Sequence, residues 1–235
     1  MKRTQGFTLA EALIAVVVVG IIAMMTIPAT IANYKKQAQV ASLNKVYHEL
    51  SQALTILSTQ KYGKSMYYSV LNKKGSENTL EKTAGAFLSS KYFKIEKKCN
   101  ASNANLCFAN SYKSIKDATY SSITLSEYYG VLLKSGAAIA ISPANYTKEA
   151  ACDDDDHDNK CHATVVIDVN GPDKPNIAGR DFFTLHIYDD YSIDELPPEK
   201  RTQSEIEKQK KKCLSARMGY GCFTRIVDDG WKMTY

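Results

Sequence analysis

Apolar side chains follow two patterns along this chain. Between positions 7 and 28 they are nearly continuous, FTLAEALIAVVVVGIIAMMTIP, with Glu11 as the one charge. A helix over that stretch would be about 33 Å long, enough to cross a hydrocarbon core of about 30 Å. After Pro28 the apolar positions narrow to a stripe. Ile31, Tyr34, Ala38, Ala41, Val46, Leu50, Leu54 and Leu57 recur at helical spacing, while Lys35, Lys36, Lys45 and Glu49 fall largely on the other side. The pattern predicts one helix from about 7 to 61, roughly 80 Å long, with Gly63 as its stop signal. Its outer half needs a globular part to cover the stripe. Pro28 removes the hydrogen bond to the Met24 carbonyl and predicts a kink, and Gly20 is a second soft point.

Beyond the helix, residues 79–92 predict a shorter helix with Leu80, Ala84, Phe87 and Leu88 inward. Segments 129–134 and 137–142 flank Ser135 and Gly136, a two-residue hairpin signal. Segments 163–169 and 181–188 read as strands, 222–227 and 231–235 bracket a turn at 228–230, and 202–216 reads as a basic helix. The expected class is therefore α+β, an antiparallel sheet laid on the outer half of a long helix.

Composition narrows the picture. The chain has 235 residues, 44% hydrophobic and 23% charged, which excludes a disordered, collagen-like or polytopic membrane protein. The first 28 residues hold Lys2, Arg3 and Glu11. Subtracting them from 30 basic and 25 acidic groups leaves 28 and 24, a net of +4, too balanced for charge alone to argue nucleic-acid binding. Lys2 and Arg3 before the apolar run leave the N-terminus cytoplasmic and the remainder on the far side of the membrane. A discarded secretory signal is the competing reading, and Glu11 argues against it: a carboxylate in an apolar helix costs up to about 2.5–3.5 kcal/mol at mid-membrane and less near the interface, a cost that a discarded segment has no reason to carry.

Six cysteines fall as neighbours: Cys99 with Cys107, Cys152 with Cys161, Cys213 with Cys222. Their spacing is too wide for paired zinc ligands, and closing neighbours costs the least chain entropy, so sequential disulfides and an oxidising compartment are expected.

The string Gly6, Phe7, Thr8, Leu9, Ala10, Glu11, followed by an apolar run with Gly20 and Pro28, resembles the start of the type IV pilins and the pseudopilins of type II secretion. The likeness covers residues 1 to about 35. It implies a leader at 1–6 cut after Gly6 by a prepilin peptidase, and methylation of the new N-terminus at Phe7. It further implies a transmembrane and filament-core helix at 7–28, an amphipathic continuation at 29–62 and a globular domain at 63–235. Glu11 would pair with the terminal amine of a neighbouring subunit, because a buried carboxylate is tolerable when paired. The partners implied are the peptidase, other pilin or pseudopilin subunits and inner-membrane lipid. The location implied is the inner membrane with the C-terminal domain in the periplasm, then a filament. The stretch between Gly20 and Pro28 would lose helical structure on assembly. The likeness also suggests that the Cys213 to Cys222 closure locks the last strands.

Three further constellations carry two readings each. Asp168, Asn170, Asp173, Asn176 and Asp181 place hard oxygens on a loop rich in glycine and proline, which suits calcium; the same residues also build turns. The run CDDDDHDNKCH at 152–162 is an acidic disulfide loop or a metal site. Residues 199–212, with six basic and three acidic groups, are a solvated helix face or a contact for DNA. No Walker loop, GxSxG or HExxH motif is present, and no enzyme is expected. A membrane-tethered binding module for calcium, sugar or DNA that never polymerises is the alternative to a filament subunit.

Overall fold

Helix α1, Leu9–Ser58, carries the apolar run and the amphipathic stripe without interruption at Gly20 or Pro28. This computed structural model describes residues 8–59, 66, 69–72, 79–116, 119–121, 127–143, 161–215 and 218–235. The chain divides into two units, residues 1–38 and 39–235.

In the first unit the large aliphatic side chains of α1 face outward along the whole run from Leu9 to Ile31. By length and composition this helix can cross a membrane. Near Pro28 the Thr26 hydroxyl donates to the Ile22 carbonyl and the Thr30 hydroxyl to the Thr26 carbonyl, each at 2.9 Å. Both hydroxyls are thereby satisfied within the helix, as an apolar surrounding requires.

In the second unit the outer part of the predicted stripe, Val46, Leu50, Leu54 and Leu57, faces inward, whereas Ala41 is exposed, as are Ile31, Tyr34 and Ala38 before it. Val40, Leu43, Val46, Leu50, Ala53, Leu54 and Leu57 are buried. They share one core with Val131, Leu133, Ile139, Ile141, Val165, Ile167, Leu185 and Ile187 of the sheet. The strands are β1 (Ile95–Cys99), β2 (Ser111–Lys113), β3 (Thr119–Ser121), β4 (Tyr129–Leu133), β5 (Ala138–Pro143), β6 (Cys161–Asp168), β7 (Phe182–Tyr188) and β8 (Ile193–Asp194). Six of them form one antiparallel sheet in the order β1-β4-β5-β6-β7-β8, and β2 pairs with β3. Residues of opposite parity, among them Leu132, Ala138, Ala140, Val166 and Phe182, are buried on the far face against Cys99, Cys107, Phe108 and Tyr112. Both faces of the central strands are thus covered, which is why their sequences read as continuous apolar runs.

Three predicted elements need correction, and the basic helix is present with shorter bounds. The segment 79–92 forms one helical turn, α2 (Ala84–Phe87), although Ala84, Phe87 and Leu88 are buried as expected. The β4–β5 connection is a three-residue loop: the Gly136 amide donates to the Leu133 carbonyl, and Leu133 and Ala137 close the ladder. Gly136 takes φ 87°, the left-handed position such a loop requires. The basic segment forms α3 (Gln203–Lys212), capped by Thr202. The run at 222–227 is a helix, α4 (Cys222–Asp228), with no strand after it.

Candidate functional site

The N-terminal end of α1 is organised by Thr8 and Glu11. The Glu11 amide donates to the Thr8 hydroxyl oxygen at 3.3 Å. In return Oε2 of Glu11 accepts from the Thr8 amide at 2.9 Å and from the Thr8 hydroxyl at 2.7 Å. This reciprocal arrangement is a capping box, and it supplies partners for donors that the first turn of any helix leaves unpaired. It also sets a negative charge at the positive end of the helix dipole. Glu11 therefore has an intramolecular partner in the single chain. The Thr-x-x-Glu spacing is the local sequence signal for this cap, beside the intersubunit pairing that the family resemblance implies. Gly6 and Phe7 lie outside the described residues. A Cβ built on Gly20 meets nothing within 4 Å, so that position is open on the exposed helix.

The loop between β6 and β7 gathers most of the calcium candidates. Asp168 and Asp181 are fully buried. Asp168 accepts the Tyr112 hydroxyl on one oxygen and the Asn170 amide, at 3.2 Å, on the other. Asp181 accepts the Ile177 amide at 2.6 Å. Asn170 donates from its side chain to the Asp173 and Pro175 carbonyls, while the Asp173 side chain itself is solvent-exposed. Burial raises Asp168 well above the ordinary carboxylate range, and burial raises Asp181 to about 7. Tyr112 is pushed up as well, by burial first and by the Asp168 charge second, so it donates as a neutral phenol. Among the described residues, Asp181 Oδ2, Asn170 Oδ1 and Asn176 Oδ1 are buried oxygens lacking a hydrogen-bond partner. No group of three or more His, Cys, Asp and Glu among the described residues is arranged to hold a metal. Sequence gave no hint of Tyr112, which lies 56 positions from the carboxylate it meets.

Two of the expected disulfides are present, Cys99–Cys107 and Cys213–Cys222. Cys161 is also disulfide-bonded, and Cys152, its expected partner, lies outside the described residues, as does most of the acidic run at 152–162. The Cys213–Cys222 closure does not lock strands: it joins the end of α3 to the start of α4. Inside this loop Gly219 sits directly on the Gly179 backbone of the β6–β7 loop, at φ 70°, and a Cβ there would collide with the Gly179 amide. The Tyr235 hydroxyl then donates to the Gly179 carbonyl at 2.5 Å.

Helix α4 starts where Glu195 meets it. The Glu195 carboxylate accepts the Gly221 and Thr224 amides, both at 2.9 Å, and the Thr224 hydroxyl at 2.7 Å. Burial still outweighs these donors and raises Glu195 to about 7. Phe223 and Trp231 then pack on Tyr47 of α1, with ring centroids 5.5 Å away in each case. In α3, Lys210 pairs with Asp228 at 2.6 Å and Asp229 at 3.1 Å, so part of the basic run is consumed by α4.

Residues 1–27 match the model of the prokaryotic N-terminal methylation motif. No curated protein and no solved structure matches the chain. The matched stretch takes in the cap and the first, outward-facing part of α1, and the N-terminus of this chain carries the signal of type IV pilins and pseudopilins.

Proposed function

We propose that the chain is a structural subunit of a type IV pilus or of a type II secretion pseudopilus. It is made as a precursor, cut after Gly6, methylated at Phe7 and held in the inner membrane by α1 with its C-terminal domain in the periplasm. It then moves into a filament in which α1 exchanges lipid for neighbouring helices. The single observation that carries this reading is that the matched motif runs into a helix whose large apolar side chains are exposed. Glu11 serves twice: it caps α1 in the single chain and accepts a neighbour's terminal ammonium in the filament, where an unpaired carboxylate would be costly. Glu11→Ala should leave cleavage after Gly6 intact and reduce filaments in shear fractions at least about tenfold, equal to the loss of about 1.4 kcal/mol or more per subunit contact. Normal filaments from that variant would remove the pairing role.

Calcium in the Asp168 to Asp181 loop is a second proposal, supported by the three buried oxygens without partners. Because calcium takes six to eight oxygens, backbone carbonyls and water would have to complete the shell. Calcium should raise the melting temperature relative to chelator, and identical melts would dismiss it.

A further inference from the structure

The apolar stretch of α1 has two polar ends. Thr8 and Glu11 form the cap at one. At the other, Asn33, Tyr34, Lys35 and Lys36 follow one another directly, with Tyr34 71% exposed and Lys35 exposed beside it. Between them, residues 12–32 contain no charge. Those positions extend about 31 Å at 1.5 Å per residue, against a hydrocarbon core of about 30 Å. A tilt of about 20° shortens the projection to about 30 Å, so the match holds. Thr26 and Thr30 supply the hydroxyls within the span, and both are bonded to carbonyls of the same helix.

A tyrosine followed by two lysines at the end of such a span has the chemistry of a bilayer interface. The ring is apolar in body and polar at its tip, and the lysine stems lie along apolar surface while the ammonium groups reach outward to phosphate. We propose that Tyr34, Lys35 and Lys36 bind phospholipid headgroups of the leaflet distal to the N-terminus, anionic ones by charge, and so fix the depth of α1 in the membrane. Ala23 then lies at the middle of the span. Glu11 is twelve residues away, about 18 Å, which is beyond a half-core of about 15 Å. Its carboxylate stays at headgroup level and hydrated while the chain is in the bilayer. It loses water when helices pack together, and a partner amine is needed at that step and not before. This inference rests on the membrane-anchored reading above and adds to it a lipid partner and a depth.

The test uses the full chain in vesicles of phosphatidylcholine, with and without phosphatidylglycerol. Single variants Ala12→Cys, Ala23→Cys and Ala32→Cys are labelled with a thiol fluorophore; no described native cysteine is free to compete. Headgroup-level quenchers should dim the labels at 12 and 32 at least about threefold more than the label at 23, and chain-end quenchers should reverse the order. In vesicles with phosphatidylglycerol, Lys35→Gln/Lys36→Gln should lower headgroup quenching at 32 by about twofold, to the level seen in phosphatidylcholine alone. A label at 12 quenched from the chain ends as strongly as the label at 23 would overturn the proposed depth. Quenching at 32 that ignores both the lysines and the anionic lipid would overturn the headgroup contact. Filament yield enters neither readout, so failure here is separable from failure of the filament reading. Labels reached by neither quencher at all three positions would overturn the proposal and the anchored reading together.

Discussion

Residues 8–38 and 39–235 use the same apolar side chains to opposite ends. In the first region Val16 is 72% exposed and Met24 is 74% exposed; in the second Leu43, Val165 and Met66 are fully buried. Burying one such side chain stabilises by about 1.5–3 kcal/mol. The second region collects that energy by itself, with α1 against one face of the sheet and Tyr112, Phe108 and Cys99 against the other. The first region leaves it uncollected, so its sequence is written for lipid or for other helices. The folding energy of the globular region is therefore encoded apart from the exposed apolar helix, and substitutions in one should be silent in the other.

The largest separation should come from Gly219→Ala. Its Cβ would collide with the Gly179 amide at a left-handed backbone position. A loss of about 4 kcal/mol in chemical denaturation is expected, with membrane association unchanged. Val19→Asp should do the reverse: insertion becomes about 3 kcal/mol less favourable in membrane fractionation, while the melting temperature of the domain stays put. Glu195→Ala leaves the Gly221 and Thr224 amides and the Thr224 hydroxyl without their acceptor, and should cost about 2 kcal/mol in a thermal melt.

The pH dependence belongs to the second region as well. Asp181 and Glu195 are both raised by burial to about 7, so the folded chain holds protons that the unfolded chain has released. Their contribution is fully present below about pH 4 and is lost as the pH rises through about 7. Stability should therefore fall as the pH rises across that window, and Asp181→Asn/Glu195→Gln should flatten the slope. A steeper fall in stability toward acid in that window would reverse the assigned direction. At the small end, Lys208→Ala removes an exposed pair with Glu205 one helical turn away, and the denaturation midpoint should move by less than about 0.5 kcal/mol equivalent.

The sequence shows most clearly those elements whose burial pattern has a period. The stripe from Val40 to Leu57 and the apolar runs of β4, β5, β6 and β7 are of this kind. The run Cys222, Phe223, Thr224, Arg225, Ile226, Val227 is short and rich in residues that suit a strand, and periodicity cannot assign so short a segment. Its helix depends on Glu195 and Cys213, which no local pattern ties to it. Strand β1, with Glu96, Lys97 and Lys98 exposed, carries almost no apolar signal because it is a sheet edge, where charge discourages further pairing. At 79–92 the residues Ala84, Phe87 and Leu88 do face inward, but Gly85 and the serines at 89 and 90 favour little helix and a single turn results. The candidate site divides the same way. Glu11 and the cysteines are visible as residue types at spacings, whereas the Tyr112 contact to Asp168 and the seat of Gly219 on Gly179 exist only once distant segments meet.

Mass spectrometry of the mature N-terminus tests the central claim most directly. A retained membrane helix released from its leader predicts a chain that begins with N-methylated Phe7. A mature chain that begins near Asn33, with the apolar helix removed, would contradict the account.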